Sequence, residues 1–197
     1  MLFKFRRTRS MDPLQVAMTG VRMGERFLQI GVDDRTLLAG LAAKVGLSGA
    51  AALAAPDDAQ ASRGQKAAAR AGVLLDLKVG PLDTLDFPDA AFDMVVVDDT
   101  AGGFAARPDT TRGACLREAL RVLRPGGRIE LVEGVGGGFL RTAPTRPDGY
   151  HAEQSLAAAG FRPVRALAEK DGFRFIEGLK GASLSNQESR IKNQEGD

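Results

Sequence analysis

The sequence predicts a doubly wound α/β fold, in which one mostly parallel sheet is covered by helices on both faces. Short apolar runs alternate along the chain with longer segments of helical periodicity, an order typical of such a sheet. The run at residues 92–97 is also apolar and β-branched enough to be a central strand covered on both faces. The 197 residues suffice for one domain of ordinary size with short tails.

In the first half of the domain, residues 12–19 predict a short helix and the apolar run at residues 26–31 a buried strand. Either Asp33 or Asp34 can cap the helix that follows. Its core-facing residues are Leu37, Leu38, Leu41 and Val45. Residues 50–55 predict a second strand although alanine favours helices, because glycines before it and Pro56 after it isolate it. An alanine-rich second helix then ends at Gly72.

In the second half, residues 73–79 and 92–97 predict the third and fourth strands, and residues 129–132 the fifth. A helix at about residues 111–123, ended by Pro125-Gly126-Gly127, carries a buried stripe. Residues 134–149 form a glycine- and proline-rich loop, long enough to be a lid. A helix around residues 156–159 and a hairpin of residues 163–168 and 173–179 complete the domain.

The composition excludes several classes of protein. Basic residues are scattered and the net charge is only +2, so nucleic acid is not expected as a partner. The single histidine and the single cysteine leave no zinc cluster, so no metal is expected, and Cys115 is expected to be a buried, inert thiol. No run approaches the roughly 18 apolar residues needed to span a bilayer, so no stable membrane insertion is expected. Composition is neutral on the oligomeric state.

The ends of the chain differ from the domain, which we place at residues 12–180. Residues 1–11 form a basic arm without the apolar segment of a secretion signal, which favours the cytoplasm as location. This arm is either a solvated terminus or a short amphipathic contact with an anionic membrane surface. The polar residues 181–197 are expected to be a disordered tail.

Four segments together resemble the type 11 class I methyltransferases, the group that includes ubiquinone- and menaquinone-biosynthesis methyltransferases. They are GVRMGERFLQIG at residues 20–31, LDFPDAAFDMVVV at residues 85–97, LREALRVLRPGGRI at residues 116–129, and Gly160-Phe161. The resemblance covers about residues 12–180. It implies a Rossmann-like sheet of seven strands with an antiparallel C-terminal strand, and S-adenosylmethionine as cofactor.

The first strand-to-helix turn departs from the family's cofactor motif. Ligands of open α/β sheets bind beyond the carboxyl ends of the strands, where the family has an acid followed by glycines. By resemblance, Gln29 replaces the acid, Gly31 is kept, and Asp33 and Arg35 replace two glycines. Asp33 and Asp34 can either cap their own helix or pair with the cofactor's ammonium group.

The next two strand ends also lack the family's acids. Ala55 stands where an acid binds the ribose hydroxyls, and Asp57 or Asp58 would either substitute for it or serve as helix-start charges. Pro81 stands where an acid accepts from adenine, while Leu82 can pack on a purine. Each lost charged contact would weaken binding by about 1.5–3 kcal/mol.

The ends of the fourth and fifth strands supply the remaining candidate residues. Asp98 is predicted at the edge of the cofactor site. Asp99 and Glu133 are the candidate catalytic residues, either orienting a methyl acceptor or acting as a base, or else they are polar strand ends facing solvent. The candidates for an acceptor pocket, or for ordinary loop packing, are Phe139, Tyr150 and His151.

These residues support three hypotheses. The first is an S-adenosylmethionine-dependent methyltransferase acting on an unidentified small molecule, since methyl transfer needs alignment more than it needs a particular acid. The alternative is a catalytically silent binding or scaffold protein that kept the fold and lost tight cofactor binding. A third is a cleft that takes a different nucleotide or metabolite.

Overall fold

The computed structural model describes residues 14–136 and 143–182. Helices and strands alternate through it as predicted, with a closing pair of strands. In chain order the elements are α1 (Leu14–Met18), β1 (Arg26–Ile30), α2 (Arg35–Val45), β2 (Ala50–Ala55), α3 (Asp58–Ala71), β3 (Leu75–Val79), β4 (Phe92–Asp99), α4 (Asp109–Val122), β5 (Leu123–Gly134), α5 (Ala152–Ala159), β6 (Val164–Lys170) and β7 (Phe173–Leu179).

The strands form one seven-stranded sheet in the order β3-β2-β1-β4-β5-β7-β6. The first five are mutually parallel, β7 runs antiparallel to β5, and β6 pairs antiparallel with β7. This confirms the predicted α/β class and the antiparallel C-terminal strand. Because β1 pairs with both β2 and β4, the order reverses at β1, and the crevice that binds ligands in such sheets opens there.

Apolar layers cover the sheet on both faces. One layer includes Leu37 and Leu41 of α2, and the other includes Leu116 of α4 and Leu156 of α5; all four are fully buried. Alanine occupies most of β2, where it lets α3 approach closely. A β-carbon added at Gly64 of α3 would lie 2.1 Å from a side-chain methyl of Leu53 in β2, so any larger residue would force that buried side chain to move.

Among the first five strands, the starts of β3 and β5 differ from the prediction. The third strand begins at Leu75, since Val73 serves the end of α3 by donating its amide to Ala68. The fifth strand begins at Leu123, six residues earlier than predicted. Its register against β4 shifts after Leu123, so the Pro-Gly-Gly turn that follows α4 lies within an irregular stretch of strand.

Two of the segments that carry the family resemblance contact each other: side chains of residues 116–129 hold residues 85–97 in place. Glu118 of α4 accepts a hydrogen bond from the amide of Leu85 (2.9 Å), and Arg121 donates to the carbonyls of Leu85 and Phe87 (both 2.9 Å). Arg121 also pairs with Glu118 (2.7 Å) and Asp89 (2.6 Å). The glutamate and arginine of this helix therefore fix the loop between β3 and β4.

We expect Arg121→Met to destabilise the protein by about 2 kcal/mol, because two loop carbonyls and two carboxylates lose a charged donor. Urea unfolding measures the change. Arg117→Met, at an exposed position of the same helix, is the matched control and should shift the midpoint little. Equal midpoints for the two variants would contradict the role assigned to Arg121.

The predicted basic arm, residues 137–142 of the predicted lid, and all but two residues of the predicted tail lie outside the described residues. Within residues 14–136 and 143–182, no helix has the length and hydropathy required to cross a bilayer.

Candidate functional site

Gly31 directly follows β1, with a φ of +76° that favours glycine. Against it lies a cavity of about 10 Å³, room for one water, which we call the Gly31 cavity. Its walls are Ile30, Gly31, Asp33, Gln60, Leu82, Asp98, Gly103, Phe104 and Arg107. Four predicted cofactor residues are thus brought together: Gly31, Asp33, Leu82 and Asp98.

Asp98, only 2% exposed, ends β4 as a buried carboxylate. Its Oδ2 accepts from the backbone amides of Asp33 (2.9 Å) and Asp34 (2.8 Å), and its Oδ1 accepts from the hydroxyl of Thr100 (2.7 Å). Burial raises the pKa of Asp98 to about 7, although these hydrogen bonds favour the ionised form. Asp98 therefore links the turn after β1 to the end of β4.

The two aspartates of that turn have different roles. Asp34 is the N-cap of α2, accepting from the amide of Thr36 at 2.8 Å. Asp33 instead accepts from the amides of Ala101 (3.1 Å) and Gly103 (3.0 Å), in the loop after β4. Arg35 is exposed. Both carboxylates are thus engaged within the chain itself.

Two glutamine side chains form hydrogen bonds to the backbone of this turn. Gln29 is fully buried; its Nε2 donates to the carbonyl of Gly31 at 2.9 Å and lies 3.4 Å from Asp98, while its Oε1 has no hydrogen-bond partner. Gln60 of α3 accepts from the amide of Val32 at 2.7 Å. Sequence reasoning missed Gln60, since it is 28 residues from Val32 and no local pattern marks it.

At the end of β2, the predicted ribose position offers no polar side chain. Ala55 is fully buried, and Asp57 is exposed and caps α3 by accepting from the amide of Gln60 at 2.8 Å. Asp58 is exposed in the first turn of that helix. Asp57 and Asp58 therefore lie at the start of α3, Asp57 as its cap and Asp58 in its first turn.

At the end of β3, a second pocket of about 110 Å³ lies beside the first; we call it the Pro81 pocket. Pro81 is exposed at its rim, while Leu82 is buried and lines both the Pro81 pocket and the Gly31 cavity. The remaining walls are Ala54, Lys78, Val79, Gly80, Thr84, Leu85 and Asp86.

The two predicted catalytic acids meet at one arginine. Asp99 accepts from the amides of Phe104 and Ala105 (both 2.9 Å), and its other oxygen lies 3.5 Å from Arg146. Glu133 lies 3.7 Å from the same Arg146 and 3.9 Å from Arg174. Burial raises the pKa of both acids, against the attraction of Arg146. The only sequence signal for Arg146 was its position as one of two arginines in the Gly- and Pro-rich loop at residues 134–149.

A groove of about 600 Å³ lies between the start of α4 and the loop before α5, and we call it the Tyr150 groove. The guanidinium of Arg112 lies 4.9 Å above the ring of Tyr150, whose hydroxyl is buried without a partner. Arg107 lines both this groove and the Gly31 cavity. His151 is exposed at the N-cap of α5, and Phe139 lies outside the described residues.

Relatives of known sequence indicate the family. Residues 36–131 match a family described as a methyltransferase domain. The chain is 33% identical over 115 residues to the ubiquinone/menaquinone biosynthesis C-methyltransferase of Chromobacterium violaceum. The aligned residues cover 58% of this chain and 45% of that protein. It is 33% identical over 120 residues to the protein of that name from Pseudomonas putida, again with 45% of the relative covered. The chain spans about half the length of the curated relatives it matches.

Solved structures show the same fold. A SAM-dependent methyltransferase from Aquifex aeolicus has a TM-score of 0.69 at 16% identity, over 83% of this chain and 86% of that one. One from Methanosarcina mazei has a TM-score of 0.59 at 17% identity, over 87% of this chain and 100% of that one. At such identities the likeness concerns the fold alone. The chain is thus similar in sequence, over residues 36–131, to the methyltransferase-domain family, and similar in fold to SAM-dependent methyltransferases of known structure.

Proposed function

We propose that the chain is an S-adenosylmethionine-dependent methyltransferase acting on a small molecule. The observation that carries the proposal is the gathering of Gly31, Asp33, Leu82 and Asp98 around one cavity at the switch point of the sheet. Leu82 continues this cavity into the Pro81 pocket. The two lie side by side along the strand ends, as an elongated nucleoside ligand requires.

The nucleoside end of the cofactor fits the residues present. Leu82 and Leu85, both buried, give the Pro81 pocket an apolar wall of the kind on which a purine packs. Gly80 lines this pocket, and a β-carbon added there would meet no atom within 4 Å, so a side chain can be introduced at this wall without a clash. No acid stands at Ala55 or Pro81, and the charged residues that line the pocket, Lys78 and Asp86, pair with each other at 3.0 Å.

The amino-acid end of the cofactor does not fit this arrangement. The Gly31 cavity has room for about one water, and the amides of Val32, Asp33 and Asp34 are already hydrogen-bonded to side chains of the chain. The cofactor supplies an electrophilic methyl group when bound. The chain's own contribution would be to hold an acceptor in line with it.

The Tyr150 groove is the site we propose for the methyl acceptor. Two of the side chains that line it carry a buried polar atom without a hydrogen-bond partner: the hydroxyl of Tyr150 and the Nε of Arg112. Both can donate, and leaving such atoms unpaired is costly, so a methyl acceptor bearing oxygen atoms would satisfy them. Asp99 and Glu133 do not line the groove. We assign them the positioning of Arg146 rather than direct proton transfer.

Calorimetric titration with S-adenosylmethionine and S-adenosylhomocysteine tests the proposed function. Gly80→Trp places a large side chain at the wall of the Pro81 pocket, and we expect it to weaken binding by at least about tenfold. The matched control is Gly181→Trp, because the β-carbon there is also unobstructed and lies outside both pockets. No heat from folded wild-type protein at millimolar ligand would overturn the proposal and favour the silent binding protein.

A further inference from the structure

The start of α2 is occupied by a carboxylate from another part of the chain. Asp98 accepts from two consecutive amides there, those of Asp33 and Asp34, 65 and 64 residues away in sequence. The helix is 11 residues long, and the amides at a helix start attract anions. Asp34 caps the same helix with its own side chain, so Asp98 is not needed as the cap.

Gln29 provides a second, independent observation. It is fully buried, and its Nε2 donates to the carbonyl of Gly31. Its Oε1 remains without a partner, an arrangement that costs free energy in a folded protein. A buried amide held with one unsatisfied oxygen suggests that something other than stability determines its place.

Together these two side chains make the kinds of hydrogen bond that the amino-acid end of a ligand would make. Asp98 presents a carboxylate to the amides after β1, while Gln29 presents N–H groups to the carbonyl of Gly31. The Nε2 of Gln29 and the Oδ2 of Asp98 lie 3.4 Å apart. A carboxylate and an ammonium group on one carbon would need the same two sets of partners.

We propose that Gln29 and Asp98 form an autoinhibitory contact, an internal competitor for the site that the α-amino-acid end of a nucleoside ligand would occupy. The identity of that ligand rests on the proposed function; the occupied anion site does not. A ligand with an amino-acid end must displace the Asp98 carboxylate. A nucleoside without that end binds the Pro81 pocket with no such competition.

Stability measurements test the anion site without any nucleoside. Asp98→Ala should lower the melting temperature, and sodium acetate at about 0.1 M should restore about half of the loss, against sodium chloride at equal ionic strength. Asp98→Asn keeps the space filled and should not respond to acetate. Glu169→Ala, which removes an exposed carboxylate of β6 away from any helix start, is the control and should show no acetate-specific shift. Equal responses to both salts in Asp98→Ala would overturn the occupied anion site.

Ligand titration then tests the competition. S-adenosylhomocysteine and 5′-deoxy-5′-methylthioadenosine carry similar nucleosides, but only the first has an amino-acid end. We expect wild type to bind the two within about threefold of each other, and Asp98→Ala to bind S-adenosylhomocysteine about tenfold more tightly with methylthioadenosine unchanged. Wild-type preference for S-adenosylhomocysteine above about tenfold, or weaker binding of it by Asp98→Ala, would overturn the proposal.

The proposed function and the autoinhibitory contact can be overturned independently of each other. If acetate restores Asp98→Ala but no nucleoside binds wild type or variant, the occupied site stands and the proposed function falls. If S-adenosylhomocysteine binds and acetate has no specific effect, the proposed function stands and the autoinhibitory contact falls.

Discussion

Gly134→Ala is expected to destabilise the protein by at least about 3 kcal/mol, a large share of the total stability of a domain of this size. Gly134 ends β5 beside Thr100, and a β-carbon there would lie 2.1 Å from the carbonyl oxygen of Thr100 and 3.0 Å from its carbonyl carbon. Both are backbone atoms, so no side-chain rotation can relieve the overlap. The strand ends of β4 and β5 would have to separate.

The same substitution should disturb the candidate site, because the hydroxyl and amide of Thr100 hydrogen-bond to Asp98. Urea unfolding followed by circular dichroism gives the change in free energy of unfolding. Gly80→Ala is the matched control, since its β-carbon would have no neighbour within 4 Å. A Gly134→Ala midpoint equal to that of the control would refute the packing argument.

Most of the fold could be predicted from local patterns. The apolar run at residues 92–97 became the buried core of β4, and the helix predicted from Leu37 and Leu41 formed with both residues in the core. The alanine run 50–55 formed a strand against its intrinsic preference, because pairing with β1 and β3 on both sides outweighs propensity. Tertiary context decided that element, and its flanking glycines and proline indicated it.

The candidate site was less predictable, because its contacts join residues distant in sequence. The sequence left open whether Asp33 or Asp34 caps α2; the answer depends on the amides of Ala101 and Gly103, which take up Asp33. Gln60 and Arg146 reach the site from a helix and a loop whose own patterns carry no sign of it. Strand ends identify where a site lies, and the pairing among its side chains is decided in three dimensions.

The sequence also gave no indication of Glu130, which lies within β5. It is fully buried, and neither carboxylate oxygen has a hydrogen-bond partner. Its neighbours in the sheet are Val96 of β4 and Glu177 of β7, and the charges nearest to it are those of Glu177, Arg128 and Arg165. Burial, with the repulsion of Glu177, raises the pKa of Glu130 to about 8.

A raised pKa in the folded state makes stability depend on pH in a definite direction. Below the ordinary value of 4.5, Glu130 is protonated whether the chain is folded or unfolded, and it adds no pH dependence. Between 4.5 and about 8 the folded state binds more protons than the unfolded state, so stability falls as the pH rises. Above pH 8 the folded protein bears the full cost of ionising Glu130. This cost is on the order of 3–5 kcal/mol, at about 1.4 kcal/mol for each unit by which the pKa is raised.

Glu130→Gln removes the ionisable group while keeping its size, so the variant should be more stable than wild type above pH 8, by on the order of 3 kcal/mol. At pH 4.5 the two proteins should differ little. Urea unfolding across pH 4.5–8.5 measures the difference between them, in which the contribution of Asp98 cancels. Glu169→Gln, at an exposed position of β6, is the control, and its free energy of unfolding should change with pH as that of wild type does. A constant difference between Glu130→Gln and wild type across this range would mean that Glu130 stays ionised in the folded protein.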